Sequence, residues 1–138
     1  MFNHNIETVR RLHRRMRGAK ASYDKALRLL QRAKELAGYP VLTKSGIIVG
    51  LGETNDEVVE TMRDLRAHSV DVVTIGQYLQ PSSRHAPIDR WMHPDEFRWF
   101  REQGDAMGFG SVFAGPLVRS SYRADEQRHA AETRAHAG

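Results

Sequence analysis

The stretch TKSGIIVGLGET, residues 43–54, decides the fold of this chain. Its β-branched run Ile47, Ile48 and Val49 predicts a buried strand over residues 41–49, and the glycines that follow predict a turn. Thr54 and Glu57 have the spacing of a capping box, in which each side chain bonds the other residue's backbone amide. The stretch therefore predicts a strand, a tight turn and a helix.

The same succession recurs on both sides of this unit. Helices are predicted over residues 9–16, over 23–36 with Ser22 as N-cap, and from Pro94 with Phe97, Phe100 and Met107 inward. Further strands are predicted over residues 70–75 and 111–113, and FNHNIET at residues 2–8 begins as if a strand ended just upstream. Strands that alternate with helices predict an α/β fold with a parallel sheet. Two or three strands cannot close a barrel, so we expect an open apolar edge near residue 41 and poor solubility.

Composition places the chain among ordinary soluble domains. It has 138 residues, 40% of them hydrophobic, and no cysteine, which excludes disulfides, thiolate metal sites and a cysteine nucleophile. Residues 1–124 are predicted to be one domain and residues 125–138 a disordered tail. No stretch has the length of a membrane span or the pattern of a signal peptide, so we expect a cytoplasmic protein with no membrane partner.

The net charge of +4 comes largely from an arginine-rich start. These arginines fall on several faces of a short helix, and no aromatic residue among them could stack on a base. We predict a solvated helix face and no nucleic-acid partner, with a specific anionic partner as the alternative. The residues concerned are Arg10, Arg11, Arg14, Arg15 and Arg17.

Three polar segments follow predicted strands, at residues 3–7, 50–54 and 77–85. Carboxyl ends of parallel strands are where α/β folds bind ligands, so we expect the three segments to line one mouth. Asn5 and Glu7 could bond the hydroxyls of a ribose, or could be a helix cap and a first-turn acid. Gly50 and Gly52 could let the backbone approach a ligand and Glu53 could accept from a ligand amine, or the segment could be a tight turn that binds none.

Histidine and serine give weaker signals. The seven histidines have no i, i+4 pair and no carboxylate at ligand spacing, so no histidine metal site is predicted. Ser120 and Ser121 have no base beside them in the sequence, and a hydrolytic serine is not predicted.

Four motifs in this order and spacing resemble the lipoyl synthases, a family of radical S-adenosylmethionine enzymes. They are FNHNIET at residues 2–8, TKSGIIVGLGET, TIGQYLQPS at 74–82 and GPLVRSSYRAD at 115–125. The resemblance implies the C-terminal part of a partial (β/α)6 barrel. It also implies S-adenosylmethionine and two [4Fe-4S] clusters as cofactors, and sulfur insertion at C6 and C8 of a protein-bound octanoyl group. The implied partner is an octanoylated lipoyl carrier domain or the glycine cleavage H protein.

The resemblance also assigns residues. Asn5 and Glu7 would lie near the ribose of S-adenosylmethionine, and the strand-end residues Gly46, Ile48, Gly50 and Glu53 would cradle its adenine and methionine parts. Ser121, or its neighbour Ser120, would supply an oxygen ligand to the auxiliary cluster.

Two departures from the family pattern stand out. The six cluster cysteines belong to an N-terminal half of the family's chain that is absent from this sequence, and Ala26 replaces a small polar residue. We therefore expect this chain to be inactive alone. The alternatives are a remnant that docks the lipoyl carrier domain through its basic start, and an unrelated phosphate-binding enzyme that uses residues 50–54.

Overall fold

The computed structural model describes residues 1–17 and 22–118. These residues form a four-stranded parallel sheet with strand order β1-β2-β3-β4, and four helices connect or flank the strands. This confirms the predicted α/β class. The elements are β1 (Phe2–Asn3), α1 (Arg10–Arg17), α2 (Tyr23–Leu36), β2 (Thr43–Val49), α3 (Asn55–Ala67), β3 (Val72–Gln77), α4 (Pro94–Met107) and β4 (Ser111–Gly115).

The predicted helix starts are confirmed by their caps. Ser22 accepts from the backbone of Lys25, and Thr54 and Glu57 form the complete capping box of α3. Pro94 occupies the first turn of α4, where a missing amide hydrogen costs nothing. Most strand predictions were off by one or two residues at their ends.

The expectation of an open edge at residue 41 was wrong. Phe2 and Asn3 are themselves a strand and pair with Thr43 and Lys44, and Glu7 forms an isolated bridge with Ile47. The sequence suggested a strand that ended upstream of Phe2. The strand at Phe2 and Asn3 itself was missed, because a two-residue strand has no periodic pattern to detect. Segment 2–7 thus covers the outer edge of β2.

Side chains alternate between the two faces of the sheet. Ile47, Val49, Val73 and Ile75 point to the helices and join one hydrophobic core with residues of all four. Gly46 and Ile48 on β2 lie in register beside Thr74 and Gly76 on β3, on the opposite face. That face carries the candidate site.

Several predictions fall outside the described residues. The tail at residues 125–138, the domain boundary at residue 124 and the serines Ser120 and Ser121 all lie there. Within the described part of the chain, no helix is both long and apolar enough to cross a membrane.

Candidate functional site

A cleft of about 560 Å³ opens at the carboxyl end of the sheet. This volume falls in the ordinary range of small-molecule sites. Its floor comes from β2 and β3, one wall from the segment after β1, and the other wall from the loop after β3 and from Val118. The lining residues are Asn5, Glu7, Gly46, Ile47, Ile48, Thr74, Gly76, Gln77, Tyr78, Leu79, Gln80, Pro81 and Val118.

The wall that carries Asn5 and Glu7 is pinned to β2. The amides of His4 and Glu7 donate to the carbonyls of Lys44 and Gly46, and the amide of Ile6 donates to Ser45 Oγ at 2.9 Å. Ile6 is fully buried in the core, so its neighbours on either side are directed to the cleft. The side-chain amide of Asn5 and the carboxylate of Glu7 therefore lie on the same wall of the cleft.

Glu7 has a left-handed backbone conformation with φ 74°. Such a conformation costs a residue with a side chain about 1–2 kcal/mol. It is held by two hydrogen bonds, from the Glu7 amide to Gly46 O at 2.9 Å and from the Ile48 amide to Glu7 O at 2.7 Å. Strain of this kind in a cleft residue is typical of functional sites.

Gly46 makes room for the polar wall. A Cβ atom at this position would lie 2.9 Å from both Asn5 Oδ1 and Thr74 Oγ1, tighter than real contacts allow. The glycine therefore lets the Asn5 side chain lie across β2, beside the hydroxyl of Thr74.

Gly50 and Glu53 lie beside the cleft and do not line it. The Glu53 carboxylate is buried and accepts from the amides of Gly50, at 2.9 and 3.1 Å, and Leu51, at 3.0 Å. Burial raises the pKa of Glu53, and these amide bonds act in the opposite direction. The carboxylate is hydrogen-bonded within its own turn, and residues 50–54 do not line the cleft, contrary to expectation.

Three amides of the turn before α3, those of Gly50, Leu51 and Thr54, are thus bonded to the chain's own carboxylates. Besides Glu53, Glu57 accepts from the amide of Thr54 at 2.9 Å. Glu57 also accepts from Nε and Nη2 of Arg11, each at 2.9 Å, and that pairing lowers the pKa of Glu57 to about 2. A phosphate bound by these three amides would have to displace two carboxylates.

The loop after β3 is fixed by Gln77. Its amide nitrogen donates to the carbonyls of Tyr78 and Arg90, and its amide oxygen accepts from the amide of Met92 at 2.9 Å. The Tyr78 hydroxyl donates to Ala86 O at 2.6 Å. These bonds hold Leu79, Gln80 and Pro81 against the cleft.

Sequence reasoning missed Thr74, Gly76 and Val118. The first two alternate along β3, as Gly46 and Ile48 do along β2, and this period of two in DVVTIG was the available signal. Val118 gave no signal, because it reaches the cleft only through the turn after β4. Lys44, two residues before Gly46, is 2% exposed, and burial lowers its pKa.

No cluster of three or more potential metal-ligating side chains occurs in the parts of the chain at residues 1–17 and 22–118. The whole sequence has no cysteine, so the residues present do not fit a thiolate-held iron-sulfur cluster.

Comparison with known proteins agrees with the motifs. Residues 1–65 match the profile of the radical SAM superfamily. The chain is 54% identical over 129 residues to lipoyl synthase of Pseudomonas aeruginosa strain LESB58, covering 94% of this chain and 39% of that protein. It is 54% identical over 132 residues to lipoyl synthase of Pseudomonas putida strain F1, covering 96% and 38%.

The resemblance to lipoyl synthase is thus confirmed over nearly the whole chain. The four-stranded parallel sheet is consistent with part of a radical SAM barrel. The chain spans about two fifths of the length of the relatives it matches.

Proposed function

We propose that this chain forms one wall of the S-adenosylmethionine pocket of a lipoyl synthase. The observation that carries the proposal is the cleft, in which Asn5 and Glu7 from one segment face Gly46 and Ile48 from another. These are four of the six residues that the motifs assign to S-adenosylmethionine. Their meeting in one cleft of suitable volume supports the assignment.

The cleft residues suit the parts of this ligand. The Glu7 carboxylate can accept from both hydroxyls of a ribose, and a charged acceptor makes stronger hydrogen bonds than a neutral one. Ile48 offers an apolar surface to a purine ring, and Gly46 lets the ligand approach the strand backbone. Gly50 and Glu53 contribute indirectly, by fixing the turn that ends β2.

The iron-sulfur clusters of the family are held by cysteine thiolates, and this chain has no cysteine. In the family, one cluster would supply the electron that converts S-adenosylmethionine to a radical, and the auxiliary cluster would supply the sulfur for insertion at C6 and C8 of an octanoyl group, giving lipoyl-lysine. We propose that Ser121 is an oxygen ligand of the auxiliary cluster, since a weak ligand allows that iron site to open. Because this chain has no cysteine for either cluster, we propose that it is inactive alone.

The remaining parts of the proposal follow from the family. The partner is an octanoylated lipoyl carrier domain or glycine cleavage H protein, and the setting is cytoplasmic, with no nucleic acid and no membrane. Residues 1–124 belong to the barrel domain, and residues 125–138 form a tail.

The two alternatives receive less support. A phosphate-binding turn at residues 50–54 is disfavoured, because Glu53 and Glu57 already accept from its amides. Docking through the basic start loses part of its support, because two of the five arginines there are paired, Arg10 with Asp24 and Arg11 with Glu57.

A chimera tests the proposed function. The segment of Pseudomonas aeruginosa lipoyl synthase that aligns with this chain is replaced by it, and conversion of an octanoylated carrier to the lipoylated form is measured. We expect turnover by the chimera and a loss of at least about tenfold with Glu7→Gln, the effect of one charged hydrogen bond. Ser69→Ala, outside the cleft, is the matched control. A folded, cluster-loaded chimera without turnover would contradict the proposal.

A further inference from the structure

The chain after β4 crosses the carboxyl end of β3 at Gly76. Gly76 lies in register between Ile48 of β2 and Gly115 of β4. After β4 the chain turns back, with the amide of Val118 donating to Gly115 O at 3.3 Å, and Val118 then lines the cleft.

A side chain at Gly76 is incompatible with this crossing. A Cβ atom there would overlap the carbonyl oxygen of Val118 and lie 3.2 Å from its carbonyl carbon. Both are backbone atoms, so no change of rotamer relieves the overlap. Gly76 is not among the described residues with positive φ, so its backbone conformation alone would accept alanine. Close approach is therefore the reason for this glycine.

We infer that Gly76 is a positioning residue, which fixes where Val118 lies in the cleft wall. Val118 is followed directly by Arg119, Ser120 and Ser121, so displacement of Val118 displaces the start of that segment. Adding one methyl group at Gly76 pushes the turn away from the sheet and opens the wall that Val118 forms. The consequence for Ser121 as a cluster ligand rests on the proposed function, whereas the position of Val118 does not.

Gly115 supplies a matched control in the same turn. A Cβ atom at Gly115 would lie 3.5 Å from Val118 Cγ2, an ordinary contact, and its φ is likewise not positive. Gly115→Ala thus makes the same chemical change without the overlap.

The absence of cysteine allows a direct test. Val118→Cys introduces a single thiol, and its alkylation rate is measured alone and together with Gly76→Ala or Gly115→Ala. We expect Gly76→Ala to raise the rate about fivefold, the factor by which overpacking of one methyl shifts a local equilibrium. Gly115→Ala should leave the rate unchanged. Equal rates in the two folded variants would overturn the inference.

Two further measurements complete the test. If Gly76→Ala does not unfold cooperatively, Val118→Gly is added to loosen the turn, and recovery of cooperative unfolding is expected; failure to recover would overturn the inference. Titration with S-adenosylmethionine should show weaker binding to Gly76→Ala than to Gly115→Ala. If the unsubstituted chain binds none, the proposed function is in question, and alkylation alone decides the role of Gly76.

Discussion

Glu7 combines a strained backbone with a side chain on the cleft wall. The strain is local, because the two hydrogen bonds to β2 impose φ 74° whatever side chain is present. Glycine adopts this conformation without a steric penalty. Stability and ligand binding can therefore be separated at this one position.

We predict that Glu7→Gly raises the free energy of unfolding by up to about 1 kcal/mol, because relief of the left-handed strain outweighs the added freedom of the unfolded chain. The same variant should weaken binding of S-adenosylmethionine at least about tenfold, since one charged hydrogen-bond partner is lost. Urea denaturation and calorimetric titration measure the two effects.

Ser69→Gly is the matched control for Glu7→Gly. Ser69 also has a positive φ, 66°, but is exposed and lies beyond the end of α3, away from the cleft. It should show a similar gain in stability and no change in binding. If Glu7→Gly binds S-adenosylmethionine as tightly as Ser69→Gly, Glu7 is not a ligand residue.

At the scale of elements, α1 and α3 are joined by one ion pair. Glu57 receives two hydrogen bonds from Arg11 and also caps α3, so a single carboxylate serves both helices. The hydrogen bonds from Arg11 are the main reason that the pKa of Glu57 falls from 4.5 to about 2.

This lowered pKa predicts the sign of a pH effect. A carboxyl group whose pKa is lower in the folded state stabilises the fold above its unfolded pKa, and that stability is lost as the pH falls through the folded pKa. We expect Glu57 to contribute about 1 kcal/mol at pH 7, discounted because Arg11 is half-exposed, and to lose it between pH 4.5 and about 2.

Urea denaturation of Glu57→Gln at several pH values checks this prediction. The variant should be less stable at pH 7, and its difference from the unsubstituted chain should shrink toward pH 2. Glu60→Gln, exposed on the same helix, is the control. The raised pKa of Glu53 gives the opposite pH dependence. Glu53 is present in all the proteins compared, so its contribution cancels from the difference in the free energy of unfolding. A difference independent of pH would exclude a charge effect of Glu57.

Gln77 predicts the behaviour of the loop between β3 and α4. Its amide nitrogen is a donor to two backbone carbonyls, and a carboxylate at this buried site would face them without a proton. We predict that Gln77→Glu lowers the free energy of unfolding by about 2 kcal/mol. It should also speed hydrogen exchange across residues 78–92.

Mass-spectrometric hydrogen exchange measures the loop directly. Gln103→Glu, a half-exposed position on α4, makes the same substitution without disturbing the loop. Unchanged exchange in Gln77→Glu would mean that Tyr78 and the other loop contacts suffice to hold it.

The elements show how far the sequence could predict the structure. Caps such as Thr54 with Glu57 are local, so they predicted helix starts correctly. Strand pairing is not local. Phe2 and Asn3 form a strand only because they pair with Thr43 and Lys44, far away in the sequence, and their own residue types do not predict it. The direction of the Glu53 side chain likewise depends on the fold, and sequence could not decide between a ligand contact and a turn contact.

At the scale of the molecule, the sheet has two different edges. The β1 edge is a two-residue strand, whereas β4 presents five residues, with Arg101 donating to Ala114 O at 2.6 Å. A short strand and a charged side chain are both devices that limit edge-to-edge association. Poor solubility was expected because β2 was thought to be unpaired, but β2 pairs with β1. Solubility itself stays a prediction.

A second prediction at this scale concerns iron. Without a cysteine, the chain has no thiolate to bind a cluster. Anaerobic reconstitution with iron and sulfide should give no [4Fe-4S] absorbance, with a full-length lipoyl synthase as the positive control. A stoichiometric cluster on this chain would contradict the account of the missing ligands.

The central claim is that the cleft between segment 3–7 and β2 is a wall of an S-adenosylmethionine pocket. Amide chemical-shift mapping of the labelled chain tests it most directly, because it locates even weak binding. With S-adenosylmethionine, we expect saturable shifts at Asn5, Glu7, Gly46 and Ile48, and with inorganic phosphate none at residues 50–54. Shifts confined to residues 50–54, or no saturable shift with S-adenosylmethionine, would contradict the claim.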